Sequence, residues 1–224
     1  FPRLLAVALG VVVGVVGTLF RIGAEKGYAA WVALVHAPLG HEIPGWWLGA
    51  VGSAVLVVAA VGLTRRLSPE GAGSGIQEIE GVLAGTRPPP RWKRIVPVKL
   101  LGGLAAMTSG LILGREGPTI HIGGALGAAI GSFGARAREH SALLVGAGSA
   151  AGLGVAFNAP LGGILFAMEE LRREFPMDSP RAQCVVIATI TAMLVSVGIA
   201  GPVRILPIPI YGPPQMLEIA LALP

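Results

Sequence analysis

Long apolar runs, separated by short polar loops, dominate this chain. They lie near residues 4–20, 43–64, 95–114, 117–135, 141–168 and 182–203. About 20 residues of helix suffice to cross a bilayer, and the runs lack the two-residue alternation of a membrane strand. Because lipid satisfies no backbone polar group outside a helix or a closed barrel, the pattern predicts an all-α, polytopic membrane protein.

Residues that interrupt a helix occur at two places, between the third and fourth runs and within the fifth. The segment Gly114-Arg115-Glu116-Gly117-Pro118 places two ionisable side chains between apolar stretches, and Pro118 suits the first turn of a new helix. Asn158 can cap a helix, and Pro160 can occupy the first turn of a further one. We therefore expect broken helices, the first beginning within the bilayer. An ionisable residue at that depth is a functional-site hypothesis by default.

The composition agrees with a membrane location. Of the 224 residues, 53% are hydrophobic and 13% are charged, and the mean hydropathy of +0.73 lies outside the usual range of soluble domains. The 34 glycines suit closely packed membrane helices. Gly10, Gly14 and Gly17 would lie along one packed side of the first helix, and Gly127 and Gly131 continue a four-residue spacing in a later one.

Basic residues predict which loops face the cytoplasm. Arg65 and Arg66 follow the second run, and a denser basic group lies within residues 87–94, so the positive-inside rule makes both loops cytoplasmic. The segment between them must then enter the membrane and return, or lie at its surface. It contains Gly73-Ser74-Gly75-Ile76, in which Ser74 suits the N-cap of a short helix whose free N–H groups bind anions. A plain capped turn explains this motif about as well.

Three further charged positions leave alternatives open. Lys99, near the start of the third run, either extends its ammonium group to the cytoplasmic surface or has a buried role, pairing with Glu80 or adding positive field toward an anion. Glu169 and Glu170 precede two arginines at the end of a short helix. They form either a solvated charged end or part of a functional site.

Several functional classes find little support. His36 and His41 lack a companion cysteine or carboxylate cluster, so we expect no metal site. Cys184, the single cysteine, is interpreted as a small apolar helix residue. An intramembrane serine protease would require Ser74 to contact a histidine, and His121 is the candidate at depth. The net charge of +5 lies in short loops, which fits membrane topology better than nucleic-acid binding.

Three separated motifs together resemble those of the CLC family of chloride channels and proton/chloride antiporters. They are Gly73-Ser74-Gly75-Ile76, Gly114-Arg115-Glu116-Gly117-Pro118, and Phe157-Asn158-Ala159-Pro160 with Glu169-Glu170 downstream. The resemblance implies a subunit built from two inverted repeats of tilted and broken helices. Residues 1–224 would form a single membrane domain equivalent to the first repeat, and two full subunits would form a homodimer.

The resemblance also implies roles for individual residues. The Ser74 hydroxyl and the backbone of Gly75 and Ile76 would bind the central anion, while Arg115 and Gly117 would contribute from the second motif, Arg115 mainly as a supporting field. Gln77 departs from the proline often found after Gly-Ser-Gly-Ile. We expect a minor effect, because its side chain should lie beyond the anion-contacting turn.

Proton coupling would depend on glutamates. Glu116 matches the gate, whose carboxylate occupies an anion position when ionised and leaves it when protonated. Glu170 matches the internal proton-transfer glutamate of the antiporters, and Glu169 matches its neighbour. The resemblance thus favours proton-coupled chloride antiport, with a passive chloride channel of the same family as the alternative. Ser74 argues for chloride over nitrate.

The chain begins at Phe1 without a signal-peptide pattern and ends just after an apolar start at Met216. We therefore expect a longer protein, because the second-repeat anion ligands are missing from this sequence. An inactive structural membrane fragment is the remaining alternative for the chain in isolation. We expect no enzymatic activity and no cofactor, with chloride, protons and lipid as partners, no nucleic acid, and a multi-pass location in a cell membrane, the bacterial inner membrane.

Overall fold

A computed structural model describes residues 1–36 and 45–202. Within these ranges the chain is helical, with no strand. Its α-helices are α1 (Pro2–His36), α2 (Gly45–Leu67), α3 (Ile76–Leu83), α4 (Trp92–Thr108), α5 (Glu116–Gly131), α6 (Ala135–Arg138), α7 (Ser141–Phe157), α8 (Pro160–Glu169) and α9 (Ser179–Ala200). A short 3-10 turn, Pro69–Gly71, precedes α3. The all-α prediction is confirmed.

Three of the helices are long and apolar enough to cross a membrane. They cover Pro2–His36, Trp46–Leu67 and Ser179–Ala200. The protein also carries large apolar side chains that are exposed along α2, such as Val55 and Val58, and along α9, such as Leu194. Extended exposed apolar surface of this kind marks contact with lipid or with another protein. These features identify a membrane protein.

The first helix extends beyond the predicted segment of residues 4–20. α1 continues to His36, so the polar segment that follows residue 20, expected to be a loop between two apolar runs, is helical as far as residue 36. Two charged residues of this segment contact the rest of the fold. Arg21 is buried, and Glu25 forms an ion pair with Arg115. His41 lies outside the described residues, as do the prolines from Pro207 onward.

Glycines bring α5 and α7 into direct backbone contact. A Cβ atom at Gly123 would collide with the carbonyl oxygen of Gly148, and one at Gly152 would collide with the carbonyl oxygen of Thr119. Small residues allow membrane helices to approach closely and gain van der Waals contacts. The predicted packing role of Gly127 and Gly131 is confirmed on the same helix, because an added Cβ would collide with the carbonyl group of Leu144 at Gly127 and would press on Ser141 at Gly131.

The N-terminal helix packs along α9 through the predicted glycine face. At Gly10 an added Cβ would lie 2.6 Å from the carbonyl oxygen of Ala188, and at Gly14 it would lie 2.7 Å from that of Ala192. At Gly17, further along the same face, an added Cβ would lie 3.1 Å from the Cγ1 of Val155 in α7. The three glycines therefore hold α1 against the α7 and α9 layer, as the sequence pattern indicates.

The predicted break near Asn158 separates α7 from α8. Asn158 ends α7 in the left-handed conformation (φ 52°), which asparagine adopts more readily than most residues. The helix α8 begins with Pro160, and Ala159 is its N-cap residue. Asn158 thus caps the end of α7 and does not cap the start of α8, whereas Pro160 occupies the predicted first turn.

Candidate functional site

The turn before α3 is shaped by two glycines in the left-handed region. Gly73 has φ 67° and Gly75 has φ 86°, a conformation that costs a residue with a Cβ free energy. Gly75 is the N-cap residue of α3, so the prediction that Ser74 occupies this position is wrong. The Ser74 Oγ nevertheless accepts a hydrogen bond from the backbone N–H of Ile76 over 3.3 Å.

The second predicted motif forms the start of α5. Arg115 is the N-cap residue, Glu116 is the first helical residue, and Pro118 lies in the first turn. Proline is tolerated there because a first-turn N–H has no carbonyl partner within the helix. The predicted helix break is confirmed, and the N-terminal end of α5 presents its free backbone donors at the break.

The two turns meet directly. A Cβ atom at Gly117 would lie 2.8 Å from the Cα, 2.9 Å from the Cβ and 3.0 Å from the carbonyl oxygen of Ser74. Only glycine fits this approach without displacing the neighbouring turn. The start of α5 and the turn before α3, which are distant in sequence, therefore lie side by side around a cavity of about 460 Å³. Its lining includes Gly73, Ser74, Glu116, Gly117 and Pro118.

Glu116 belongs to two cavities. Besides the cavity beside Ser74, it lines a second one of about 360 Å³ together with Glu25, Tyr28 and Arg115. Its half-buried side chain folds over Gly114, and its Oε2 occupies the space that a Cβ at residue 114 would need. The carboxylate thus lies in the wall between the two cavities.

Arg115 has a carboxylate partner that the sequence analysis did not identify. Its Nη1 lies 2.6 Å from the Oε1 of Glu25, with side-chain exposures of 19% for the arginine and 51% for the glutamate. The arginine charge is therefore partly compensated on the side of the second cavity. An acidic residue one turn after a membrane-helix segment was the available signal, but its partner could not be known before α1 and α5 were packed together.

Lys99 is hydrogen-bonded to the turn before α3. Its side chain is only 5% exposed, and its Nζ donates a hydrogen bond to the carbonyl oxygen of Gly73 over 2.7 Å. Of the two alternatives for Lys99, the structure shows a buried side chain and not one that extends to the surface. The partner is the Gly73 carbonyl group and not the Glu80 carboxylate. A buried cation adjacent to Gly73 adds positive potential at the turn.

Gln77 lies closer to the predicted anion ligand than the sequence suggested. The Ser74 Oγ donates a hydrogen bond to the Oε1 of Gln77 over 3.2 Å. The expectation that this side chain lies beyond the anion-contacting turn is therefore wrong. Its amide reaches back across the first turn of α3, because a residue two positions after the N-cap projects toward the helix start.

The geometry does not support an intramembrane hydrolase. His121 is buried against Gly75, yet within the described residues neither of its ring nitrogens has a hydrogen-bond partner. The Ser74 hydroxyl donates to Gln77 instead. A serine nucleophile needs a base within hydrogen-bonding reach, and the described structure contains no such Ser74–His121 bond.

The acidic pair at the end of α8 lies apart from these cavities. Glu169 is the last residue of α8 and Glu170 follows it, and both are exposed. Glu80, on the short helix that begins at the Ser74 turn, links the two regions electrostatically. Burial raises the pKa of the Glu80 carboxyl above its ordinary value, and the negative charges of Glu170 and Glu174 raise it further.

The sequence profile of the voltage gated chloride channel family matches residues 54–224. The H(+)/Cl(-) exchange transporter ClcA of Vibrio vulnificus is 39% identical over 220 residues, which are 98% of this chain and 47% of that protein. The chain therefore spans about half the length of the relatives it matches.

Solved structures agree with the sequence comparison. The crystal structure of a slow cyanobacterial Cl−/H+ antiporter superposes with a TM-score of 0.81 and 30% identity, covering 91% of this chain and 48% of the antiporter chain. A eukaryotic CLC transporter gives a TM-score of 0.72 with 25% identity, covering 86% of this chain and 38% of its own. The helix arrangement described above is thus shared with both.

Proposed function

This chain belongs to the voltage gated chloride channel family, and from that premise we propose that the full-length protein exchanges chloride for protons across a membrane. One observation carries the proposal. The turn at Ser74 and the start of α5 meet at Gly117 around a shared cavity, and Glu116 stands in the wall of that cavity. An anion site and a titratable carboxylate are thereby adjacent.

The two helix starts supply what an anion loses on leaving water. Burying an isolated ion costs several kcal/mol or more unless dipoles and charges replace its hydration. The backbone N–H groups at Gly75 and Gly117 and the Ser74 hydroxyl offer such dipoles, whereas the Ile76 N–H is already donated to the Ser74 Oγ. Lys99 and Arg115 add positive potential without ligating the ion. Dipoles bind an anion weakly enough to release it again, as transport requires.

Glu116 acts as the gate in this proposal. Its carboxylate is itself an anion beside the Ser74 cavity, so the ionised side chain competes with chloride for the same positive potential. When protonated, the side chain loses that attraction and leaves the position to chloride. Because Glu116 also lines the cavity that contains Arg115, its movement would connect the two cavities. Each proton taken up is thus linked to anion movement.

Proton entry from the other side is assigned to Glu170, with Glu169 beside it. They are the last residue and the C-cap residue of α8, next to basic residues that favour the cytoplasmic side by the positive-inside rule. Support comes from Glu80, whose raised pKa responds to the charge of Glu170. Since Glu80 lies on the same short helix as the anion turn, a proton delivered at Glu170 has acidic groups leading toward the site.

A passive chloride channel is the alternative within the family. The two functions are separated by chloride and proton fluxes of the full-length protein in proteoliposomes. We expect Glu116→Gln to pass chloride without proton transport and without pH dependence. Glu170→Gln should stop proton movement while chloride still passes. Glu139→Gln, the same substitution at an exposed residue outside these cavities, is the matched control.

The outcomes separate the individual assignments. Unchanged proton transport in Glu116→Gln would remove Glu116 from the gate. Normal proton coupling in Glu170→Gln would show that the entry route is wrong. If the unmodified protein passes chloride with no proton flux at any pH, the channel function replaces the antiporter. We further propose a homodimer that crosses the bacterial inner membrane several times.

A further inference from the structure

The hydroxyl assigned to the anion is hydrogen-bonded within its own turn. A serine hydroxyl carries a single proton, and that of Ser74 is donated to the Oε1 of Gln77 over 3.2 Å. One of the acceptor positions of the same oxygen is used by the backbone N–H of Ile76. An anion can accept a hydrogen bond from the Ser74 hydroxyl only after the hydroxyl turns away from Gln77.

The position of Gln77 makes this contact a property of the sequence. Gly75 is the N-cap residue, so Gln77 is the second residue of α3 and lies within its first turn. Ser74, Gly75, Ile76 and Gln77 follow the Ser-x-x-Gln pattern of a capping box. Here the glutamine reaches the serine side chain, because the left-handed Gly75 has taken the cap position. A side chain without an acceptor would leave the hydroxyl free.

We propose that Gln77 sets the chloride affinity of the anion site, because its side-chain carbonyl competes with the anion for the Ser74 hydroxyl. The inference rests on the proposed function of Ser74 as an anion ligand. A hydrogen bond to an ion is stronger than one between neutral groups, so chloride wins the exchange but binds more weakly than it would without the competitor. The net contribution of one neutral hydrogen bond corresponds to about fivefold in affinity.

The test measures chloride affinity by titration calorimetry on the purified full-length protein. We expect Gln77→Leu, which keeps a similar length but removes the acceptor, to tighten chloride binding about fivefold. In a Ser74→Ala background, Gln77→Leu should leave chloride affinity unchanged, because the hydroxyl donor for which Gln77 and the anion compete is absent. Gln77→Pro provides a second variant, since proline is accepted in the first turn of a helix.

The matched control is Gln183→Leu. Gln183 is a second exposed glutamine whose side chain is hydrogen-bonded to a serine, Ser179, over 3.3 Å on α9, away from the cavity. It should leave chloride affinity unchanged. Unchanged or weaker binding in both Gln77 variants, with Ser74→Ala weakening binding, would overturn the competition while leaving the Ser74 assignment intact. Unchanged affinity in Ser74→Ala itself would overturn the assignment and the inference together.

Discussion

Substituting Gly117 by alanine tests the contact that brings the two predicted motifs together. The added methyl carbon would lie 2.8 Å from the Cα and 2.9 Å from the Cβ of Ser74. Carbon atoms in contact settle roughly 3.5 to 4.0 Å apart, so the turn must move by about 0.7 Å or more. The obstructing atoms belong to the backbone and to a short side chain. They have no flexible end that could give way cheaply.

The size of the effect follows from that displacement. Overpacking of a closely packed region typically costs about 1 to 3 kcal/mol, so we expect a measurable fall in the thermal unfolding temperature in detergent. Transport should suffer more, because a misplacement of about 1 Å at a site can cost as much as about a hundredfold in rate. We expect the chloride flux per protein of Gly117→Ala in proteoliposomes to fall at least about tenfold.

A matched glycine separates this effect from a general loss of glycine. At Gly198 on α9, an added Cβ meets nothing within 4 Å, so Gly198→Ala should preserve both flux and unfolding temperature. Wild-type flux and stability in Gly117→Ala would refute the reasoning, because they would mean that the Ser74 turn and α5 do not approach as described. Equal losses in both variants would also contradict it.

Three further variants probe charged groups around the site. Lys99→Met should leave the Gly73 carbonyl without its hydrogen bond and lower stability by about 1 to 3 kcal/mol, measured by thermal unfolding beside Lys93→Met, which changes an exposed lysine. The pKa of Glu80 is raised in the folded state. Its contribution to stability is therefore present at acidic pH and is lost as the pH rises above 4.5 through the raised pKa. In Glu80→Gln, the unfolding temperature should fall less between acidic and neutral pH than in the unmodified protein. Glu25→Gln should remove the partner of Arg115 and speed anion entry at low ionic strength only, as chloride flux measured at low and high salt will reveal.

Local sequence signals predicted where helices break, and for a local reason. Pro118 and Pro160 lack a backbone N–H and restrict their own φ angle, so their preference for the start of a helix holds in any fold. The same reasoning failed for the region after Phe20. Arg21 and Glu25 resemble loop residues when no partner is known, yet the chain stays helical through them. The fold buries Arg21 and pairs Glu25 with Arg115.

The predicted site depended on a different kind of information. Resemblance grouped Ser74 with Glu116, and the structure brings their segments into contact. The structure also contains contacts that sequence spacing could not predict, such as the hydrogen bond from Ser74 to Gln77 and that from Lys99 to Gly73. The roles of all the predicted site residues stay predictions, and Glu169 and Glu170 in addition lie apart from the cavities.

By itself, the sequence determined that the chain enters a membrane as helices. In lipid no water is present to bind the backbone N–H and C=O groups, so an apolar run must pair them internally. It also determined where proline interrupts those helices and where glycine lets them pack closely. Only the tertiary structure decided which polar groups meet. A charge or hydroxyl removed from water must find a partner, and the available partners are those that helix packing brings near, such as Glu25 for Arg115 and the Gly73 carbonyl for Lys99.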